Sequence, residues 1–557
     1  MIDLEIPLGK RSRTYRFFEM LPAILSYGGL ILMVVLSLVN PVWAAVYLLI
    51  IIITMVVKAL GIAVHTIQGQ RRLDLAQKVD WRSRLADLEN PAKNYATQRS
   101  MVSGEFGFSK HLDNLRLMAA DPDIFPRPSE IYNAVIIAAY NESIEVIEPT
   151  IQSVANTTYD NKNLIVVLAY EERGGAEIEK TAKILKKRFD KTFKQFHIVK
   201  HPADIPGEVV GKGGNITYAG KFLQQHFETI GLPLKDVIVT TLDSDNRPHP
   251  AYFDYVTYEY IVHENRKHLS YQPISIFTNN IWDAPAPMRV IATGNSFWNV
   301  ISSMRPHTLR NFASHSQPMD ALSEMDFWST RTIVEDGHQY WRSYFYFGGN
   351  YAVMPVHVPI YQDAVMSDTL PKTLKAQFVQ LRRWAYGASD IPYVATRVLS
   401  SKRNVPLGGG LARLVRLIDG HVTLAVVAIL VSIGGWIPLL VNNESARSVA
   451  AHQLPEVIST IMQIATIGLF VTIFMSFKIL PPRPERYKRR RTFGMIIQWM
   501  LMPVTSIGYS ALASLYSQGR LFMGKYLDKF DVTEKATAAS VERAKAAKKI
   551  KKASKSV

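Results

Sequence analysis

From Met20 to Val57 the chain carries no charged residue, and Asn40-Pro41 interrupts the run near its middle. At about 1.5 Å of rise per residue, each half as a helix can cross a hydrocarbon core of roughly 30 Å. The stretch reads as a transmembrane hairpin. Lys10, Arg11, Arg13 and Arg16 precede it as they would in a cleaved signal peptide, but a second full-length span follows at once. Further charge-free runs cover Gly420 to Asn443, Val457 to Phe477 and Thr492 to Gly519, so the chain is expected to be a multi-pass membrane protein.

The basic flanks set its expected orientation. KRSRTYR at the N-terminus and PPRPERYKRRR from Pro481 to Arg491 are strongly basic, whereas the Asn442 to Pro455 loop holds only Arg447. Basic segments stay in the cytoplasm, which places the long stretch between Lys58 and Asp419 there too, below a plasma membrane. One crossing by the last run would export the Lys-rich tail from Lys525 to Lys555. Pro503 inside that run leaves open a re-entrant pair or an interfacial helix that keeps the tail inside. The net charge of +17 is concentrated in such flanks, so membrane lipids, and not nucleic acid, are its expected counter-charge. Cysteine is absent, which excludes a disulfide framework and a thiolate metal site.

Beyond Pro128 short β-branched runs alternate with helical patterns. IYNAVIIAA (Ile131 to Ala139), LIVVLAY (Leu164 to Tyr170), Phe196 to Lys200 and Val237 to Leu242 read as strands; SIEVIEPTIQSVAN, AEIEKTAKILKKRF and NITYAGKFLQQHF read as the helices between them. Such alternation implies a mostly parallel α/β sheet covered on both faces, with its site beyond the carboxyl ends of the strands. Asp243 and Asp245, in TTLDSDNRP, stand there after the fourth strand. Two carboxylates suit a hard divalent cation whose remaining positions are filled by phosphates, although an acidic turn after a strand is common.

Other motifs converge on the same region: Ala138-Ala139-Tyr140-Asn141-Glu142 closes the first strand, Gly211-Lys212-Gly213-Gly214-Asn215 leads into a helix, Val334-Glu335-Asp336-Gly337 lies further on, and Gln380-Leu381-Arg382-Arg383-Trp384 precedes the third span. In this set and order the sequence resembles the membrane-bound family 2 glycosyltransferases, the group of cellulose, chitin and hyaluronan synthases. The resemblance runs from about Ile131 to Trp384 and implies a GT-A-type α/β domain that transfers a sugar from a nucleotide-sugar donor with inversion. It implies the following organisation: a cytoplasmic segment and hairpin over 1–60, a membrane-proximal segment over 61–128, the glycosyltransferase domain over 129–370, interfacial helices over 371–417, a membrane region over 418–519 and a basic tail over 520–557.

The resemblance also implies roles. Asp243 and Asp245 would hold Mg2+ or Mn2+. Ala139, Tyr140, Glu142, Lys212, Gly213, Asn215 and Arg383, together with Asp243, would bind the donor. Asp336 would be the general base and Glu335 would orient it or touch the acceptor. Gln380 and Trp384 would meet the acceptor glycan, and Ser314, His315 and Ser316 lie in the region that abuts it. The family usually has an Asp after the second strand to read the nucleobase; this chain has Glu171-Glu172, so uridine selectivity rests on one of these. The expected product is a polysaccharide exported through the membrane, with an unidentified export partner. A glycolipid from a lipid acceptor is the second reading, and a nucleotide-sensing scaffold or transporter without catalysis the third.

Overall fold

The computed structural model describes residues 4–443 and 448–527; the Lys-rich tail from residue 528 on and Arg447 lie outside them. The chain divides into two compact units. The first comprises Met1–Ile6, Gly69–Asn279 and Trp298–Asp363, and the second Pro7–Gln68, Asn280–Phe297 and Ala364–Val557.

In the first unit an eight-stranded sheet has the order β3-β2-β1-β4-β7-β6-β8-β5. Its strands are β1 (Tyr132–Ala139), β2 (Leu164–Glu171), β3 (Gln195–His201), β4 (Val237–Asp243), β5 (Arg247–Pro248), β6 (Leu269–Phe277), β7 (Ser316–Pro318) and β8 (Ala352–Gln362). The four strands expected from the apolar runs form the parallel half. Alternate residues of each strand enter opposite cores. Val135, Ile137, Val166 and Leu168 pack with Ile147, Ile151, Ile178 and Leu185 of the helices Ile144–Ala155 and Ala176–Phe189. Ala134, Ile136, Ile165 and Val167 pack with Ile216, Leu223 and Phe227 of the helix Lys212–Ile230. With both faces covered, these strands can be apolar throughout, which is why they stand out in the sequence.

The other half of the sheet is mixed. β7 is antiparallel to β4 and β6, β8 is parallel to β6, and β5 is antiparallel to β8. The β6–β8 register shifts between Pro273 and Ile274, opposite a segment that also contains Pro355 and Pro359; a proline lacks the N–H that a regular ladder requires.

In the second unit, the helices Arg13–Val39, Pro41–Ala76, Leu407–Val441 and Arg489–Phe522 are each long and apolar enough to cross a membrane, among the described residues. A further helix, Val449–Ile479, covers the charge-free run Val457 to Phe477. The hairpin turns at Asn40, whose Oδ1 accepts the N–H of Val42 at 2.8 Å, and Pro41 opens the second helix, where its missing donor costs nothing. Ser26 and Ser37 of the first helix are fully buried, whereas Val39 is 76% exposed and Ile31 61%. Exposed apolar and buried polar residues are what a helix needs when lipid is its solvent. Near the start of the first helix, the fully buried Glu19 receives Arg11 and, at 2.8 Å, Arg16, so its charge is compensated. The last run is not one regular helix: Arg489–Ile497 passes through a 3-10 turn, a short helix opening at Met502-Pro503 and a π turn over Ser506–Ala511 before Leu512–Phe522.

Candidate active site

The pairing of β1 with β4 sets Ala138 opposite Asp243, and the pairing of β1 with β2 sets Ala139 opposite Tyr170. The carboxyl ends of these strands therefore open side by side, where ligands of open α/β sheets bind. The helix that follows β3 begins at Lys212, so Gly213 and Gly214 form its first turn. Packing overrides the poor helix propensity of glycine here: a Cβ on Gly213 would lie 2.3 Å from the carbonyl oxygen of Ser329.

Lys212 occupies the centre of the site. Its Nζ lies 2.8 Å from Asp243 Oδ1, 3.3 Å from Asp336 Oδ1 and 3.9 Å from Glu335 Oε1. Burial opposes its charge, but Asp243, Asp336 and Glu335 more than offset this and hold its pKa above the ordinary lysine value. Glu335 and Asp336 open the helix Glu335–Tyr346, where the dipole favours acidic groups. The two differ in access, with the Asp336 side chain 22% exposed and that of Glu335 only 2%. Burial first, and then the neighbouring Asp336, push the Glu335 carboxyl well above the usual range, and its Oε2 meets no hydrogen-bond donor among the described residues.

Asp243 is one-third exposed at the end of β4. Asp245 is nearly buried; its Oδ2 accepts the N–H of Asp363 at 3.3 Å and its backbone carbonyl accepts from Asn279 at 3.0 Å. Among the described residues no group of three or more His, Asp or Glu side chains forms a metal cage. The residues fit a cation held partly by its substrate: Asp243 stands one-third exposed at the strand end, and the two aspartates offer hard oxygen donors.

The remaining sequence candidates fall into three places. Around the strand ends, Tyr140 N–H donates to Glu142 Oε2 at 2.7 Å, and the buried Asn215 amide donates to the carbonyls of Ala139 and Ala169 at 3.4 and 3.0 Å. Asn215 thus ties the helix to β1 and β2. Gly174 lies so close beneath the Tyr140 carbonyl that a Cβ would stand 1.8 Å from it. Behind β4, Ser314, His315 and Ser316 are fully buried, and Ser316 Oγ bonds Thr240 and Tyr252 hydroxyls at 2.7 and 2.8 Å. Burial lowers the His315 pKa; the neutral ring donates from Nδ1 to Phe312 O at 2.9 Å and accepts Trp328 Nε1–H at 3.3 Å. Gln380, Arg383 and Trp384 belong to the second unit, on the helix Leu370–Ala385, and their spacing puts them on one helical face.

One cluster carries no sequence motif. His201, at the end of β3, sits 3.1 Å from Glu171 through Nδ1 and 3.1 Å from Glu208 through Nε2, while Arg173 reaches Glu171 at 2.6 Å. Burial disfavours the charged ring, but the hydrogen bonds to Glu171 and Glu208 outweigh it and lift the pKa to about 9. Glu172, by contrast, is exposed and pairs with Lys200 at 3.0 Å.

No protein-family model and no curated protein matches the chain. Among solved structures it is similar to a mannosyltransferase from Pyrobaculum calidifontis in complex with GDP-Man and Mn2+, with a TM-score of 0.38 and 13% identity over 82% of this chain and 99% of that one. It is also similar to residues 1–349 of S. aureus TarS in complex with UDP-GlcNAc, with a TM-score of 0.34 and 10% identity over 72% of this chain and 95% of that one.

Proposed function

We propose that the chain is a membrane-embedded, inverting glycosyltransferase that transfers a sugar from a nucleotide-sugar, of the UDP-sugar class, to a growing polysaccharide. The observation that carries this reading is Lys212 bridging Asp243 and Asp336: one ammonium joins the aspartate suited to a diphosphate-bound cation to the acid suited to deprotonate an acceptor.

The donor diphosphate docks at the strand ends, with Asp243 and Asp245 as the residues that would hold Mg2+ or Mn2+. When bound, such a cation takes up negative charge on the leaving diphosphate. Lys212 adds a second positive charge to the same side. Asp336, the more accessible acid, accepts the proton of the acceptor hydroxyl as the hydroxyl oxygen attacks the anomeric carbon; the bond from that carbon to the β-phosphate oxygen breaks, and its electron pair leaves with the nucleoside diphosphate. One displacement inverts the anomeric centre. Glu335, buried beside Asp336, would orient it. The four long apolar helices and the basic flanks support a multi-pass protein of the plasma membrane with this unit in the cytoplasm, from which a polymer would be exported.

The test is release of UDP by membranes carrying the protein, supplied with Mn2+ and a panel of sugar nucleotides. At least one donor should be consumed, and Asp336→Asn should abolish release while nucleotide binding persists. Consumption of no donor refutes the enzyme reading, and full activity of the variant refutes the base. Mass analysis of the product separates a polymer from a lipid bearing one sugar.

A further inference from the structure

The first described residues of the chain are folded into the first unit. Leu4 and Ile6 are buried there, and Glu5 between them reaches Ser329 Oγ at 2.7 Å and the guanidinium of Arg342. Arg342 is itself buried. It donates to Leu4 O at 3.2 Å, to Met325 O at 2.7 Å and to Phe327 O at 3.3 Å, and Arg331 reaches Ile6 O at 3.4 Å.

Those contacts fall on both sides of the segment that delivers the acidic pair. Asp326 and Phe327 lie in the left-handed region, at φ 55° and 59°, which aspartate tolerates but a bulky residue such as Phe rarely adopts. Arg342 bonds the carbonyls flanking that turn. Ser329, which Glu5 holds, is the residue whose carbonyl abuts Gly213, next to Lys212. Thr330 accepts the N–H of Val209 at 2.8 Å, linking the segment to the stretch before Lys212. Arg342 stands seven residues, or two turns, after Glu335 on the same helix face. A buried guanidinium needs a compensating charge, and among the described residues Glu5 is the carboxylate that pairs with it.

We propose that Leu4-Glu5-Ile6 is a strap that sets the position of the catalytic acids, with Glu5 and Arg342 as positioning residues: the strap clamps the Asp326–Val334 segment and the Glu335 helix into the register in which Asp336 meets Lys212. This rests on the reading of Asp336 and Lys212 given above. A shift of about 1 Å in a reacting group lowers rates by up to about a hundredfold, so the strap acts on turnover more than on donor binding.

The experiment compares the full-length protein with Glu5→Ala, Glu5→Gln and Glu5→Asp. Two quantities are read: hydrogen exchange of peptides covering residues 326–336 and, separately, β1–β4, and the kcat and KM for UDP release. Glu5→Ala should speed exchange in 326–336 and leave β1–β4 protected, and should lower kcat about tenfold or more with donor KM within about twofold. Glu5→Gln should fall between, and Glu5→Asp should restore most of both. Exchange in 326–336 identical to wild type overturns the strap, as does loosening that spreads equally over β1–β4. If no sugar nucleotide is consumed by the wild type, the glycosyltransferase reading fails while the exchange comparison still decides the clamp.

Discussion

The sharpest expectation concerns Gly213. An alanine Cβ there would stand 2.3 Å from Ser329 O and 3.3 Å from the Cβ of Glu335. Ordinary contact lies near about 3.5 Å, so helix and loop must part by about 1 Å. Ser329 O is backbone and cannot swing aside, and its side chain is tied to Glu5. Overpacking of this kind costs about 1–3 kcal/mol. Replacing a helical glycine by alanine returns about 1 kcal/mol, so the net loss of stability should be only about 0–2 kcal/mol. Turnover should suffer more, because the strained contact separates Lys212 from Glu335 and Asp336, and a 1 Å error can cost about a hundredfold. Gly214 is the control. Its Cβ would meet Glu208 Oε2 at 2.6 Å, the far end of a flexible side chain, and His201 Cε1 at 3.2 Å. UDP release at saturating donor and the thermal midpoint should be measured on Gly213→Ala and Gly214→Ala together. A large rate loss in the first with a small midpoint shift, and a rate within several-fold of wild type in the second, is expected. Equal losses in the two variants, or wild-type turnover in Gly213→Ala, would refute the close-approach reasoning.

Other perturbations follow from the same geometry. Lys212→Met leaves Asp243, Glu335 and Asp336 without their shared ammonium and should lower kcat for UDP release by about a hundredfold to a thousandfold, the usual effect of losing one group that stabilises developing charge. A chelator should abolish UDP release and added Mn2+ or Mg2+ should restore it, whereas the far-ultraviolet circular dichroism should not change, because the cation would be held with the substrate and not by a structural cage. For His201 the folded pKa of about 9 lies above the ordinary value of 6.5, so its contribution to stability is complete below pH 6.5 and is lost as pH rises through 9. That contribution is at most about 3 kcal/mol, and the decline in denaturant midpoint between pH 6.5 and 9 should flatten in His201→Gln.

How much of this was legible in the sequence depends on how local each cause is. β1 and β2 announce themselves because strands buried on both faces are apolar nearly throughout, as LIVVLAY is, whereas β3 at the sheet edge shows only through Phe196, Ile198 and Val199. β7 does not: Ser316-Gln317-Pro318 is short and polar, and what makes it a strand is its antiparallel pairing with Ile238 to Thr240 of β4, residues distant in the chain. The helix around Gly213 begins a turn earlier than its apolar pattern suggests, since the reason for glycine there lies across space at Ser329. Asp243, Lys212, Glu335 and Asp336 could be picked out as motif residues, but their meeting at one ammonium is a property of the folded chain. Glu5 lies 337 positions before Arg342, and no spacing rule connects them. The pairing of Glu171 with His201 and Arg173 was equally hidden, although Glu171 itself was marked by its place after β2.

The site's charge balance links its parts. On the proposed reading, a diphosphate brought to the strand ends would carry its own negative charge toward Asp243, Glu335 and Asp336, which already gather around Lys212. Two features of the chain reduce the conflict. Burial drives Glu335 toward its neutral form, which removes one charge and leaves a proton on the acid next to the base. Lys212 is shared between Asp243 and Asp336, so its ammonium is within reach of both sides of the site. On the proposed reading, donor binding and the state of the base would be coupled through one side chain, and the first turn of its helix, packed without space against Ser329, fixes where that side chain starts.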